Sequence, residues 1–382
     1  MKTAIRVGFD ARYIQDRYHG IGRYAFELLR EYARQAPEHH FVVFWDPRLP
    51  NSRFPLPDLL RSPAFTPVAV KLPLFGPLDQ IALPILAMRH RLDLLHVPYI
   101  GVPLALPCPL VFTIHDLIFE RYPDYMPRRW ARSYYNVLTR GGLRRARGVL
   151  VPSVATHNDL LAYYHVDPHV VRVTLEAAEE AFKPPTPEHV ATARARYGLP
   201  ENFVLVVAAR RPHKNVGVVV EALDRLRERV PHTLVLVGGH DTRFPDPLKT
   251  SPAAVRLAGR IMEVGSVAEE DMPALYGAAA ACVCPSLIEG FGLPVLEALA
   301  CGVPTVSSDH GALREVAGDA ALFFEPTDVD GLTAALSRLL TDDALRQDLG
   351  ARGLARARTF SWGYTATATL SLYSEVCRRV TG

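Results

Sequence analysis

Short apolar runs recur along the chain with amphipathic stretches between them. Ala4–Phe9, Phe41–Trp45, Leu110–Ile114 and Gly148–Pro152 are too short for helices and too apolar to face water, so each predicts a buried strand. Alternation of such strands with helical patterns predicts a parallel α/β architecture. The pattern breaks at Phe182–Pro187 (FKPPTP), where three prolines stand among few apolar residues, and this stretch reads as a linker. Beyond it the pattern restarts. Phe203–Ala209 predicts a strand, and Val216–Val230 a helix with Val219, Ala222, Leu223, Leu226 and Val230 on one face. Leu234–Val237, Ala281–Cys284, Thr305–Ser307 and Ala321–Phe324 supply further strands, separated by helical patterns such as Asp271–Ala280. Two halves with the same α/β grammar are therefore expected, with ligand sites at the carboxyl ends of strands and in the cleft between the halves.

A length of 382 residues fits two domains. The hydrophobic fraction of 49% and charged fraction of 22% exclude disorder and collagen-like repeats. Lys+Arg 43 against Asp+Glu 40 leaves a net charge of +3, too small for a chain that grips nucleic acid non-specifically. No nucleic-acid partner is expected. Cys108, Cys282, Cys284, Cys301 and Cys377 are scattered through a chain that needs no covalent staples, which fits a reducing, cytoplasmic compartment. The start of the chain carries Lys2, Arg6 and Asp10 and no apolar core of a signal peptide. Between Asp93 and Asp116 no formally charged residue occurs, a length able to span a bilayer. Pro98, Pro103, Pro107 and Pro109 lie within it, and each interior proline costs a helix about 3 kcal/mol, so loop and short strand are expected instead of a membrane span.

The run Glu289-Gly-Phe-Gly-Leu-Pro-Val-Leu-Glu297 follows a predicted strand and opens a predicted helix, with Pro294 near its start and Gly302 just past its end. Gly290 and Gly292 let backbone approach a ligand closely, and the uncapped amides of the helix start suit a diphosphate. Glu297, about one turn in, has two oxygens for the hydroxyls of a ribose, while Glu289 faces whatever lies beyond the phosphates. Taken alone, the two carboxylates equally suit a structural role complementing the helix dipole. Ala208-Ala-Arg-Arg-Pro-His-Lys-Asn215 follows the Phe203 strand, placing Arg210, Arg211 and Lys214 where they would neutralise a diphosphate. Alone, it reads as an exposed basic loop.

Other segments carry competing readings. His19-Gly-Ile-Gly-Arg-Tyr-Ala25 matches G-x-G-x-x-A, and Asp46 closes the next strand as a ribose-binding acid would, so a nicotinamide-dependent oxidoreductase is an alternative. Ala11–His19 intervene after the first strand, however, which favours a long flexible glycine loop at Gly20 and Gly22. His115 and Asp116 end the Leu110 strand at a carboxyl edge, whereas His96 reads as a structural histidine. Asp328-Val-Asp330 resembles a metal-binding D-x-D, but opening a helix it reads better as a cap. Cys282 and Cys284 read as small core hydrophobes, with no second pair or histidines at zinc spacing. From Arg128 to Arg147 seven arginines occur without an acidic residue, interleaved with Trp130, Tyr134, Tyr135 and Leu138. Such a helix suits anionic lipid, and it equally suits a solvated face or a surface for phosphate-bearing acceptors.

With these residues in hand, nearly the whole chain resembles retaining glycosyltransferases of family 4. Glu289 to Glu297 resembles the family's E-x7-E element, and Pro285-Ser286 and Ala300-Cys-Gly-Val-Pro304 match its surroundings. The resemblance implies the GT-B architecture, two Rossmann-like parallel-sheet domains facing an interdomain cleft. It implies an acceptor-side domain over 1–182, a donor domain over 188–355 and a helical tail, 356–382, packing back on the first domain. Gly290, Phe291, Gly292 and Leu293 would contact sugar and phosphates by their backbone, with Glu289 near the sugar and Glu297 on the ribose. Gly20 and Gly22 would lie over the diphosphate, and His115 would contact the sugar. Lys214 matches the family's lysine; Arg210 is favoured over Arg211 for its arginine, which usually stands further upstream. Pro212-His-Lys-Asn215 and His115-Asp-Leu-Ile-Phe119 look like bacterial mannosyltransferases of polysaccharide assembly. The implied reaction moves a mannose- or glucose-type hexose from a GDP or UDP sugar to a sugar or lipid-linked sugar hydroxyl, without a metal or resident cofactor. The implied location is the cytoplasm or the inner face of the membrane. A non-catalytic sugar-nucleotide binder is the second alternative.

Overall fold

Residues 4–126 and 129–381 are described by the computed structural model. The chain divides into two units, Met1–Glu176 with Ser361–Gly382, and Ala177–Phe360. Each carries its own wholly parallel sheet, the α/β class that the strand pattern predicts. In the first unit β1 (Arg6–Asp10), β2 (His40–Trp45), β3 (Phe65–Ala69), β4 (Leu94–Val97), β5 (Leu110–Thr113), β6 (Ala146–Val151) and β7 (Val171–Val173) lie in the order 3-2-1-4-5-6-7. In the second, β8 (Phe203–Val207), β9 (Thr233–Val237), β10 (Ile261–Gly265), β11 (Ala281–Cys284), β12 (Thr305–Ser308) and β13 (Ala321–Phe324) lie in the order 10-9-8-11-12-13. In both, strand order reverses beside the first strand, between β1 and β4 and between β8 and β11. Loops leaving those neighbouring strands diverge there and open a crevice at the carboxyl edge.

The central strands are buried on both faces, which is why they read as continuous apolar runs. β3, β7 and β10, three of the four sheet edges, escape that reading, whereas the fourth edge, β13, keeps the apolar run ALFF and is legible. β3 buries only Phe65, then alternates half-buried and exposed positions, and contains Pro67, which an edge tolerates, and β10 is only partly buried. The proline-rich stretch is not a linker. Phe182 is buried edge-on to Tyr276 with ring centroids 6.0 Å apart, and Pro185 packs so tightly on Gly277 that a Cβ there would sit 2.3 Å from its Cγ. These contacts fold the stretch into the second unit, and the changeover comes earlier, at Glu176.

The last helix, Trp362–Thr381, buries Trp362, Ala366, Thr369, Tyr373 and Val376 in the first unit. Leu372 presses on β6 so closely that a Cβ on Gly148 would lie 2.9 Å from its Cδ2. A chain of buried polar groups joins this helix to the sheet. The Tyr373 hydroxyl lies 3.0 Å from that of Tyr32 and 2.5 Å from His96 Nδ1. His96 Nε2 meets Thr113 Oγ1 at 3.0 Å, and Tyr24 reaches the same oxygen at 3.0 Å. Burial, with His115 adding to it, pushes the His96 imidazole down to about 3. A second buried polar feature is Arg12, which bonds Asp10 Oδ2 and Asp79 Oδ1, each at 2.7 Å, with all three side chains out of contact with water.

Trp45, Trp130 and Trp362, the protein's three tryptophans, all belong to the first unit, so their fluorescence reports its unfolding. Tyr373→Phe removes the hydroxyl shared by His96 and Tyr32, and we expect a loss of about 1–3 kcal/mol in urea unfolding at neutral pH. An unchanged urea midpoint would refute the role given to that hydroxyl. Below pH ~6.5 the unfolded chain protonates His96, whereas the folded chain does so only near 3, so stability falls as pH drops through that window. His96→Gln should lack this part of the acid dependence.

Candidate functional site

β8 ends at Val207, and a single tight turn, Pro212–Lys214, leads to Asn215 in the left-handed conformation, φ 53°. Asparagine tolerates that backbone better than most residues. Its side-chain amide donates to the carbonyls of Pro285 (3.1 Å) and Pro326 (2.7 Å), tying the loop after β8 to those after β11 and β13. The amide of Leu287 donates to the His213 carbonyl at 2.7 Å, a second tie. The loops on either side of the strand-order reversal are therefore held together by backbone and amide bonds.

This frame brings Lys214 Nζ to 2.5 Å from Glu289 Oε1. Ser286 Oγ donates to the same oxygen at 2.7 Å, and Ser308 Oγ holds the Ser286 carbonyl at 2.6 Å. The side chains of Lys214 and Glu289 keep 21% and 12% exposure, so a ligand can reach the pair. Burial opposes the charge on Glu289, but the Lys214 ammonium and the bonds from Lys214 and Ser286 outweigh it and hold the carboxyl below its usual range. His213, buried beside them, is pushed down to about 4 by burial and then by Lys214 and Arg211, and stays neutral at neutral pH.

Gly292 is the cap of the Leu293–Ala300 helix, with φ 113° and no side-chain capping bond. The backbone angle favours glycine, and a Cβ would also stand 2.6 Å from Leu313 Cδ2, which would have to shift. Pro294 in the first turn has no N–H to satisfy. Phe291 is a buried anchor, edge-on to Phe360 at 5.9 Å, so it can offer a ligand its backbone and not its ring. Glu297 is buried one turn in, and Tyr276 donates to its Oε2 at 2.8 Å.

Arg210 pairs with two carboxylates of its own. Its side chain is buried, with Nε 3.3 Å from Asp246 and Nη2 2.5 Å from Glu263, and its Nη1 has no hydrogen-bond partner among the described residues. Arg211 is half exposed and pairs with Asp241 at 3.1 Å. Tyr276, Asp246 and Glu263 escaped the sequence reading because they lie on other elements, with no local pattern pointing to their partners. Asp328 caps the Val329–Thr341 helix by accepting from the Gly331 amide at 2.9 Å, the capping role its position suggests. Cys282 and Cys284 are buried thiols on β11. Among the described residues no group of three His, Cys, Asp or Glu side chains converges as metal ligands would.

In the first unit His115 follows β5, with Nδ1 3.0 Å from Glu176 Oε1 and Nε2 3.0 Å from the Pro98 carbonyl after β4. Tyr24 stands edge-on to its ring at 4.8 Å. The ring is thus fixed on both sides, by a carboxylate distant in sequence that the local pattern did not reveal. The glycine run is not a flexible loop. Gly20 and Gly22 occupy the first turn of the His19–Gln35 helix, where the Gly22 amide donates to the Tyr18 carbonyl at 2.6 Å. A Cβ on Gly22 would come within 3.0 Å of the Tyr13 carbonyl, whereas one on Gly20 would meet nothing within 4 Å, so Gly20 is open to approach. β1 ends at Asp10, well before Gly20, which removes the strand-to-glycine turn that a nicotinamide fingerprint needs. The arginine-rich helix spans Arg129–Arg145; Pro127 and Arg128 lie outside the described residues.

We expect Gly292→Ala to speed amide hydrogen exchange across Leu293–Ala300 by tenfold or more, because the strained cap costs about 1–3 kcal/mol. Exchange at the wild-type rate would show that the cap accommodates a side chain.

Residues 191–356 match the family described as glycosyl transferases group 1, and residues 18–174 match glycosyltransferase family 4. Over 69% of this chain and 69% of the other, the sequence is 33% identical to O-antigen chain mannosyltransferase B of Escherichia coli. It is 32% identical to MMP alpha-(1->4)-mannosyltransferase of Mycolicibacterium hassiacum, over 71% of this chain and 66% of that protein. The solved structure of Anabaena Alr3699/HepE in complex with UDP and glucose shares the fold, with a TM-score of 0.70 at 18% identity over 99% of this chain and 100% of that one.

Proposed function

The chain belongs to the group 1 glycosyltransferases, with a family 4 first half, and on that premise we propose that it moves a hexose from a nucleoside diphosphate sugar to a hydroxyl acceptor with retention at the anomeric carbon. The observation that carries this reading is the Lys214–Glu289 pair, partly open at the carboxyl edge where β8 and β11 diverge. A cation there neutralises a diphosphate, and a carboxylate beside it orients sugar hydroxyls and steadies positive charge as the glycosidic bond opens. The uncapped start of the Leu293–Ala300 helix adds backbone donors from the Gly290–Leu293 turn. The unpaired Nη1 of Arg210 is a buried donor that an anionic group would satisfy. Glu297, fixed by Tyr276, is assigned to the ribose hydroxyls.

The bond from the anomeric carbon to the diphosphate oxygen breaks, and the acceptor oxygen bonds to that carbon on the same face. The acceptor proton passes to the departing phosphate, and no side chain is assigned as nucleophile. Lys214 and the helix start take the diphosphate charge in place of a divalent cation, and Arg210, its charge already answered by Asp246 and Glu263, adds only its unmatched Nη1 donor. In the first unit His115, held by Glu176 and Pro98, is assigned to the sugar, and the open backbone at Gly20, with Gly22 beside it, to the diphosphate. Two relatives named as mannosyltransferases favour mannose, from a GDP or UDP donor, with a sugar or lipid-linked sugar as acceptor. Polysaccharide or glycolipid assembly at the cytoplasmic face of a membrane is the setting we assign, with the Arg129–Arg145 helix turned towards an anionic surface.

Glu289→Ala and Lys214→Ala should each lower turnover by at least about a hundredfold while the protein stays folded. Full activity in either, at matched thermal stability, would remove that residue from the mechanism. In a thermal-shift series with UDP, GDP, ADP, dTDP and NAD, one nucleoside diphosphate should stabilise the protein with or without EDTA. A ligand at a hundred times its dissociation constant contributes about 2.7 kcal/mol. A shift abolished by EDTA would assign the diphosphate charge to a metal, and binding without product formation would make the protein a sugar-nucleotide binder.

A further inference from the structure

Two histidines of the first unit, His96 on β4 and His115 just past the neighbouring β5, have partners of different kinds. His96 is fully buried between the hydroxyls of Tyr373 and Thr113. A hydroxyl both donates and accepts, so those partners suit a hydrogen on either ring nitrogen. His115 meets a carboxylate and a carbonyl instead. Nδ1 lies 3.0 Å from Glu176 Oε1 and Nε2 lies 3.0 Å from the Pro98 carbonyl, and the His115 and Glu176 side chains keep only 11% and 5% exposure. A carbonyl only accepts, so the bond to Pro98 places a hydrogen on Nε2. The bond to Glu176 then takes a second proton, held between Nδ1 and Oε1. Which nitrogen of an imidazole carries hydrogen is set by the partner of the other nitrogen, and for Nε2 of His115 that partner is Glu176.

Glu176 is placed by contacts far along the chain. The Thr174 amide donates to the Val151 carbonyl at 2.8 Å, and Thr365 of the last helix donates to the Leu175 carbonyl at 2.5 Å, so the backbone is fixed just before the carboxylate. The aromatic rings around His115 act differently. Tyr24 stands edge-on at 4.8 Å and packs in turn on Trp362 at 6.1 Å, and Tyr99 lies tilted at 6.3 Å. These rings settle where the imidazole sits, and Glu176 settles where its hydrogen sits. Burial destabilises a carboxylate unless a partner answers it, and His96 shows that hydroxyls suffice where a histidine of this sheet serves packing alone.

We propose that Glu176 is a positioning residue of the transfer reaction, which keeps a hydrogen on Nε2 of His115 so that this nitrogen donates to a hydroxyl of the bound sugar. The hydroxyl shares that hydrogen with the Pro98 carbonyl or takes the carbonyl's place. The proposal deepens the assignment of His115 to the sugar given above and rests on it. Glu176 touches no reacting atom and acts through the ring. With its hydrogen in place, Nε2 orients a hydroxyl and takes no proton from it, in keeping with an acceptor proton that leaves on the phosphate.

The test is calorimetric titration of the full chain with GDP-mannose and UDP-glucose, and with GDP and UDP alone, using Glu176→Leu, Glu176→Gln, His115→Ala and the double variant His115→Ala/Glu176→Leu. Tryptophan fluorescence in urea checks that each is folded. Glu176→Leu should bind the preferred sugar nucleotide at least about tenfold more weakly, while binding the bare nucleotide as the wild type does. Glu176→Gln should restore most of that affinity, because its amide donates to Nδ1 and so keeps the hydrogen on Nε2. In the His115→Ala background the leucine should cost nothing further, which a merely structural role would not produce. Unchanged affinity in Glu176→Leu, a glutamine variant as weak as the leucine one, or additive losses in the double variant would each overturn the proposal. If His115→Ala binds the sugar nucleotide as the wild type does, the assignment of His115 to the sugar fails as well; if it is weakened and Glu176→Leu is not, the proposal fails alone. Binding of neither sugar nucleotide would overturn the donor reading and the proposal together. Nitrogen NMR of the wild type labelled at histidine gives a readout that needs no folded Glu176 variant. The signals lost in His115→Ala should belong to a ring with hydrogen on Nε2, and a bare Nε2 would overturn the proposal.

Discussion

Everything that gives the second unit its chemistry depends on the reversal of strand order between β8 and β11. In a parallel sheet, every crossover returns the chain to the same end, so loops that leave neighbouring strands normally run to the same face. Where the order reverses they part, and the strand ends open to ligands. Lys214 sits on one of the parted loops and Glu289 on the other, and their contact crosses the opening. The ties through Asn215 and the Leu287 amide keep the opening at a fixed width, so lysine and carboxylate meet without either being sealed from solvent.

The pair also shows why local charge balance matters at such a site. Burial by itself would push Glu289 towards its neutral form, and the lysine with two hydrogen bonds reverses that. Arg210 displays the opposite arrangement, a cation enclosed by two carboxylates and left with one unmatched donor. The same local sequence thus contains one cation that faces the opening and one whose charge is largely answered inside the protein.

In the first unit polar groups act as internal ties. Arg12 is buried between Asp10 and Asp79, an arrangement in which removing one partner leaves an uncompensated charge. The relay from Tyr32 through Tyr373, His96 and Thr113 to Tyr24 links the last helix to the sheet and ends beside the ring of His115. The helix at the end of the chain is thereby part of the scaffold that holds a histidine near the carboxyl edge.

Most central strands, the parallel class, the doubling of the α/β unit and the strand-loop-helix setting of Glu289–Glu297 were legible along the chain, because strands covered on both faces are mostly apolar. Edge strands β3, β7 and β10 were not, since an uncovered side relaxes that demand, although β13, also an edge, kept its apolar run. The glycine run at Gly20 read as a loop because glycine signals turns, yet packing of Gly22 against the Tyr13 carbonyl draws it into a helix. The proline-rich Phe182–Pro187 stretch read as a linker because composition cannot register that Phe182 has a buried partner. Local order and residue type depend on neighbours a few positions away, and those the sequence by itself determined. Which cation meets Glu289 and which carboxylate holds His115 were decided by tertiary structure alone, because each depends on residues brought together across tens of positions by strand order.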